Sequence, residues 1–285
     1  MIMSNQNFQI SIMSREDLDK VVNWAAEEGW NPGLYDADAF YAADPTGFLI
    51  GKIDDIPVAA ISAVKYEDTF GFVGFYIVKP AYRGQSYGLQ IWNRAIESLS
   101  GRNIGLDGVV DQQANYRKSG FNLAHRNMRF EGKGTGKPQQ HPAIVDLKSL
   151  AFSRIEAYDQ QFFPTRRSSF LEQWLRQPES YSFAYIEKNR LKGYGVMRKC
   201  RQGYKIGPLF ADHPDIAEAL FLAFRSNVRA GQPFYLDIPQ VNSSAKNLVE
   251  TYDMQLVFET ARMYTGNFPA LPLNRIFGIT TFELG

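Results

Sequence analysis

The chain has 285 residues, with 31 basic and 30 acidic side chains, a formal charge of +1 and 45% hydrophobic residues. That length suits two domains, each able to bury a core, and near-neutrality removes any general attraction to nucleic acid or a membrane surface. No apolar run approaches the ~18 residues of a membrane span, and MIMSNQNFQI lacks the basic start and apolar core of a signal peptide. The single Cys200 excludes an internal disulfide and suits a reducing compartment, so a cytoplasmic location is expected. His125, His141 and His213 are too few and too scattered for a metal site, and none is expected.

In chain order, Phe8–Met13 predicts a first strand, and Ser14 with Asp17 forms a capping-box start for a helix through Glu28. Asp36–Ala43 predicts a second, shorter helix. Thr46–Ile53 and Pro57–Lys65 predict two strands joined at the turn pair Asp54–Asp55. Phe70–Val78 (FGFVGFYIV) is almost wholly apolar, as a strand covered on both faces should be, and Pro80 marks its end. The turn KPAYRGQSYG follows. Leu89, Trp92, Ala95, Ile96 and Leu99 then recur at helical spacing. A strand feeding a Gly-bearing turn at a helix N-terminus makes an anion site, because free N–H groups and the positive end of the helix dipole converge there. The turn lacks the GxxxxGK[ST] string of a nucleotide-hydrolysing loop and the G-x-G-x-x-G of a dinucleotide fold. Asn103–Val110 predicts another strand, and Asp111–Gly120 a short helix closed by Gly120.

The string VKPAYRGQSYG resembles motif A of the GCN5-related N-acetyltransferases (GNAT), V-x-P-x-Y-R-G-x-G-x-G. Arg83, Gly84 and Gly88 match, and Ser86 stands at the middle glycine. A serine can still offer its N–H there if its φ stays negative. YRKSGF, Tyr116 to Phe121, resembles motif B, Y-x-x-x-G-F; the asparagine that usually lies seven residues before the tyrosine is Val109 here. The likeness covers residues 8 to 132.

Beyond a Gly/Lys-rich joint at Gly132–Pro142, the pattern repeats. The segment from Ser182 parallels that from Gly47, and Asn242–Met254 parallels the motif B helix at nearly the same offset, which indicates a tandem duplication. The second copy has KIGPLFADHPDIAEALF in place of motif A and Val249 in place of the tyrosine. It does hold Asn242 and Ala245, the motif B residues that the first copy lacks. EEGWNPG (Glu27–Gly33), IGPLFAD (Ile206–Asp212), ARMYTG (Ala261–Gly266) and the terminal TTFELG also resemble two-domain bacterial proteins with a YitH-type C-terminal domain. The expected fold is α/β with mixed sheets, as tandem GNAT folds: residues 1–135 binding acetyl-CoA, and residues 143–285 degenerate.

The resemblance implies acetyl transfer from acetyl-CoA, a co-substrate, directly to a primary amine. Ile77 and Val78 would hold the pantetheine arm. The turn Arg83, Gly84, Gln85, Ser86, Tyr87, Gly88 and Leu89 would hold the pyrophosphate, and Tyr116 would protonate the leaving thiolate. Many members carry a strand-four glutamate as base, but Phe70–Val78 has no carboxylate. Asp107 is the leading candidate, with Glu67, Asp68 or a water chain as alternatives. Trp30 and Asn31 would wall the acceptor site, and the second copy would cover the acceptor groove. The expected partner is a small-molecule amine, not nucleic acid or a membrane, and a homodimer is allowed. A catalytically degenerate acyl-CoA sensor or interaction protein is the alternative.

Overall fold

The computed structural model describes residues 7–138 and 141–285. Most of the N-terminal segment read for a signal peptide, residues 1–6, and part of the joint, residues 139–140, lie outside the described residues.

The first half follows the sequence pattern closely. Strand β1 (Phe8–Ile12) leads to α1 (Arg15–Glu27), whose N-cap Ser14 and Asp17 form the reciprocal capping box. Helix α2 (Asp36–Ala43), β2 (Phe48–Ile53), β3 (Ile56–Tyr66) and β4 (Phe70–Val78) follow. Then come α3 (Tyr87–Ser98), β5 (Asn103–Val109), α4 (Gln113–Lys118) and β6 (Asn122–Lys133). The second half repeats this order: β7 (Ile144–Asp146), α5 (Phe152–Asp159), α6 (Ser168–Leu175), β8 (Ser180–Glu187), β9 (Arg190–Lys199) and β10 (Tyr204–Ala211). It continues with α7 (Pro214–Asn227), β11 (Pro233–Pro239), α8 (Ser243–Thr251) and β12 (Gln255–Tyr264). A short β13 (Ile276–Gly278) has no counterpart in the first half. Among the described residues, no helix is long and apolar enough to cross a membrane.

All the strands join one mixed sheet, in the order β1-β2-β3-β4-β5-β12-β6-β11-β10-β9-β8-β7, with β13 against β10. The middle of that order shows an exchange. Strand β12, from the second half, pairs antiparallel with β5 of the first (Thr260↔Val109 to Tyr264↔Gly105). Strand β6, from the first half, pairs with β11 of the second (Pro233↔Lys133 to Pro239↔Asn127). The two exchanged strands pair with each other between those contacts. Each half therefore completes its sheet with the other's last strand.

The cores follow the same plan. Helices α3 and α4 cover one face of the first half, burying Ile91, Trp92, Ala95 and Tyr116. Helices α7 and α8 do the same in the second half, through Leu220, Phe224, Leu248 and Val249. A third, shared core lies where α1 and α2 meet α5, α6 and the C-terminal tail; there Phe40 stacks on Trp174 at 6.0 Å. Across it, Arg198 Nε donates to Asp36 at 2.8 Å, a fully buried ion pair joining β9 to α2.

Strand β13 decides the fate of the second copy. Parallel pairing of β10 with β11 runs only from Tyr204↔Phe234 to Ile206↔Leu236; farther along, β13 lies on β10 at Leu209 and Phe210. The gap in which a second ligand slot would open is filled by the chain's own C-terminal segment.

Candidate active site

The first half leaves the equivalent gap open. Parallel pairing of β4 with β5 ends at Val73↔Leu106. Just beyond, the register of β3 against β4 slips between Ala60↔Ile77 and Ser62↔Gly74, a bulge in which Phe75 takes φ 46°. A positive φ on a bulky residue is strained, and such strain concentrates at functional positions. The bulge turns β4 away from β5, and a cleft of about 590 Å³ opens between them.

The glycine turn closes one end of that cleft. Gly84 lies at φ +77° with nothing within 4 Å of where a Cβ would sit, so its backbone is open to a ligand. No side chain caps α3. A Cβ on Gly88 would meet Tyr76 Oη at 2.7 Å and Val78 at 3.1 Å, so only glycine lets the helix start this close to β4. Ser86 corrects the sequence reading: its φ is +66°, not negative, because the turn keeps the left-handed backbone that the family's middle glycine would supply. These open amides at a helix N-terminus fit a diphosphate. Ile77, Val78, Arg83, Gly84, Ser86, Gly88 and Leu89 all line the cleft. Gln85 and Tyr87 do not: Gln85 Nε2 donates to the Ala81 carbonyl at 3.1 Å, and the Tyr87 ring packs on Phe8 at 4.8 Å. Arg83 donates through Nε to the Val78 carbonyl at 2.8 Å and pairs with Glu28, which holds its half-exposed guanidinium beside the turn.

Tyr116 reaches the cleft from α4. Its ring stacks on Trp92 at 5.5 Å and lies against Gly108, where a Cβ would sit 2.1 Å from ring carbon Cε2. Burial, with Tyr76 adding to it, raises the hydroxyl's pKa well above the usual tyrosine value. The group is therefore a proton donor at neutral pH, not a base. Asp107 also lines the cleft, but its carboxylate is occupied. Arg262 grips it through Nε at 2.9 Å and through Nη2, and Asn127 Nδ2 donates at 2.8 Å. Burial raises its pKa while Arg262 opposes the rise. Glu67 and Asp68 sit in the β3–β4 turn, at the end of β4 away from the bulge.

Trp30 lines the cleft, as expected of an acceptor wall, whereas Asn31 does not. Asn31 clamps the second half instead: its side chain donates to the Gln202 carbonyl at 3.0 Å and accepts from the Gln202 N–H at 2.8 Å. Its backbone lies in the left-handed region, at φ 51°. The second half supplies residues that the sequence did not single out: Phe258 and Thr260 from β12, and Phe282 and Glu283 from the tail. Arg129 organises this wall. It holds Asp237 with two bonds of 2.7 and 2.8 Å, donates to the Trp30 carbonyl at 2.7 Å, and lies 4.7 Å over Phe282 and 5.7 Å over Phe258. In the sequence, TTFELG carries Phe282 and Glu283 as a signature without a role, and the duplication gives the expectation that the second copy covers the groove. Among the described residues, no group of three or more His, Cys, Asp or Glu gathers as metal ligands.

A cleft at a β4 bulge, a glycine turn opening α3 and a second copy in the same element order agree with the family models. The model described as Acetyltransferase (GNAT) family matches residues 15–121, and that described as Acetyltransferase (GNAT) domain matches residues 155–278. The chain belongs to the GNAT superfamily. It is a tandem GNAT acyltransferase. Holothin acyltransferase of Pseudoalteromonas sp. (strain SANK 73390) is 28% identical over all of this chain and 97% of its own length. A solved structure from Pyrococcus horikoshii described as an acetyltransferase shares the fold, with a TM-score of 0.83 at 23% identity over 99% of this chain and 98% of that one. A tandem GNAT protein from the clavulanic acid biosynthesis pathway shares it with a TM-score of 0.61 at 12% identity, over 92% of this chain and 100% of that one.

Proposed function

We propose that the first half transfers an acetyl group from acetyl-CoA to the primary amine of a small molecule with a flat, largely apolar body. The observation that carries this is the single cleft in which the open amides of the glycine turn, the β4 bulge and the buried Tyr116 hydroxyl meet a wall of aromatic side chains. Trp30, Phe258 and Phe282 form that wall, and flat apolar faces suit a planar acceptor. A relative named for acting on holothin agrees with a small-molecule acceptor.

The residues divide the work. Amides from Gly84 to Gly88 and the dipole of α3 hold the diphosphate, with Arg83 beside them. Backbone groups of β4 beyond Val73, freed from β5, hold the pantetheine arm and polarise the thioester carbonyl. Tyr116 gives its proton to the leaving sulfur. Acetyl-CoA itself supplies the activated thioester.

Calorimetry with acetyl-CoA, followed by thiol release over an amine panel, tests the reading. Tyr116→Phe is expected to lower kcat by roughly 10²-fold, the usual worth of a positioned acid, while the acetyl-CoA Kd stays within about twofold. Unchanged turnover would remove Tyr116 from the mechanism. Binding without thiol release would make the domain a sensor.

A further inference from the structure

We propose that Glu283, delivered by the C-terminal tail of the second half, is the base that takes the amine proton in the first half's cleft. This rests on the amine-acetylation reading above.

Four charged residues line the cleft: Glu28, Arg83, Asp107 and Glu283. Glu28 is paired with Arg83, and Asp107 with Arg262 and Asn127. Glu283, 4% exposed, makes no ion pair within 4 Å among the described residues, and the buried charges of Arg129 and Arg198 favour its carboxylate from farther off. Its oxygen Oε2 accepts from the Thr281 hydroxyl, and its own N–H donates to Thr281 Oγ1 at 3.3 Å. That leaves Oε1 for an incoming amine.

The tail is built to hold this residue in place. On one side of it, the Ile279 N–H donates to the Asp237 carbonyl at 2.8 Å, continuing the attachment of β13. On the other, the Leu284 carbonyl accepts from Tyr66 Oη at 3.1 Å, and the Gly285 carbonyl accepts from Arg167 at 3.4 Å. Between these anchors the Glu283 backbone presses on Gly74, the first residue of the β4 bulge. A Cβ there would fall 2.1 Å from the Glu283 carbonyl oxygen, so any side chain at position 74 would expel the tail. The strand that carries no carboxylate of its own is thus notched at the bulge, and a carboxylate from the other end of the chain fills the notch.

The proton balance is simple. An ammonium acceptor gives one proton to Glu283. Its nitrogen lone pair then forms the C–N bond, and the C–S bond breaks with its electron pair on sulfur, which takes the Tyr116 proton. The second nitrogen proton returns to the Tyr116 phenolate through solvent, and Glu283 releases its own to bulk water. The products are the amide, free thiol and one proton.

Glu283→Gln in the full chain tests the proposal, with acetyl-CoA as donor and 2-phenylethylamine and tryptamine as acceptors. Its acetyl-CoA Kd is expected to match wild type, and its kcat at pH 7 to fall 10²- to 10³-fold, within the usual range for a general base. That deficit should shrink at least tenfold by pH ~9.5, because an aliphatic amine with a pKa near 10.4 then supplies its own free base. An equal kcat at pH 7, or a deficit that does not change with pH, overturns the proposal. Should the Gln variant lose its thermal transition, Glu283→Asp reports instead: a displaced acidic limb supports the base and an unmoved one overturns it. Wild-type protein that binds no acetyl-CoA, or turns over neither amine, removes the reading beneath and the proposal with it. That result is distinct from a normal wild type beside a normal variant.

Discussion

Ser86 adopts φ +66° and ψ 0° immediately before α3, and it makes no side-chain cap there. A left-handed backbone costs a residue with a Cβ roughly 1–2 kcal/mol. Glycine would relieve that strain but lose about 0.5–1 kcal/mol in unfolded-chain entropy. Ser86→Gly is therefore expected to raise stability by about 0.5–1 kcal/mol, a gain of a degree or two in Tm for a chain of this size. Ser86→Ala, which keeps the strain, should leave Tm unchanged. Urea midpoints for both variants check this, and a glycine variant less stable than wild type would mean that the hydroxyl stabilises the turn. The motif locates the turn and a tyrosine that lines the same cleft, though Gln85 and Tyr87 point out of it. It could not reveal backbone angles or long-range partners. The positive φ of Ser86, the Arg83–Glu28 pair and the clamp of Asn31 on Gln202 all depend on contacts or geometry that spacing does not encode.

At the scale of elements, periodicity located nearly every strand and helix of the first half, because apolar alternation and caps are local signals. Strand partners are not local. Nothing in residues 122–133 or 255–264 says that each strand crosses to the other half, since both would bury the same faces at home. Asn242 shows how the same residue type can be redirected. Aligned with the family's motif B asparagine, it caps α8 through Oδ1 from the Ala245 N–H at 3.0 Å, and Nδ2 donates to the Ile276 carbonyl at 2.8 Å. It straps β13 into the slot of the second half. Asn242→Ala removes both buried bonds and should cost about 2–3 kcal/mol. Asn242→Ser keeps a capping acceptor but leaves the Ile276 carbonyl without its donor, so an intermediate loss is expected, with faster amide exchange confined to residues 276–285. A capped variant as stable as wild type would show that the strap to β13 contributes nothing.

At the scale of the whole molecule, the exchange of β6 and β12 makes the halves mutually dependent. The first half alone would expose the edge of β5 and lose Phe258, Thr260, Phe282 and Glu283 from its cleft. An unpaired strand edge beside apolar side chains invites aggregation. The second half keeps its scaffold but not its slot, and it contributes a wall, a tail and a strand to the first. The shared core adds to this tie, since Phe40–Trp174 stacking and the Asp36–Arg198 pair both cross between halves. The covalent joint should then be dispensable once the chain has folded. A protease site inserted between Lys137 and Pro138, both exposed, allows the folded protein to be cut there. The nicked protein is expected to elute at the mass of the intact chain at micromolar concentration and to retain its acetyl-CoA affinity. It should also unfold in a single transition, because exchanged strands cannot part without breaking both sheets. Separation into two folded fragments on size exclusion would mean that the linker, not the exchange, holds the halves together.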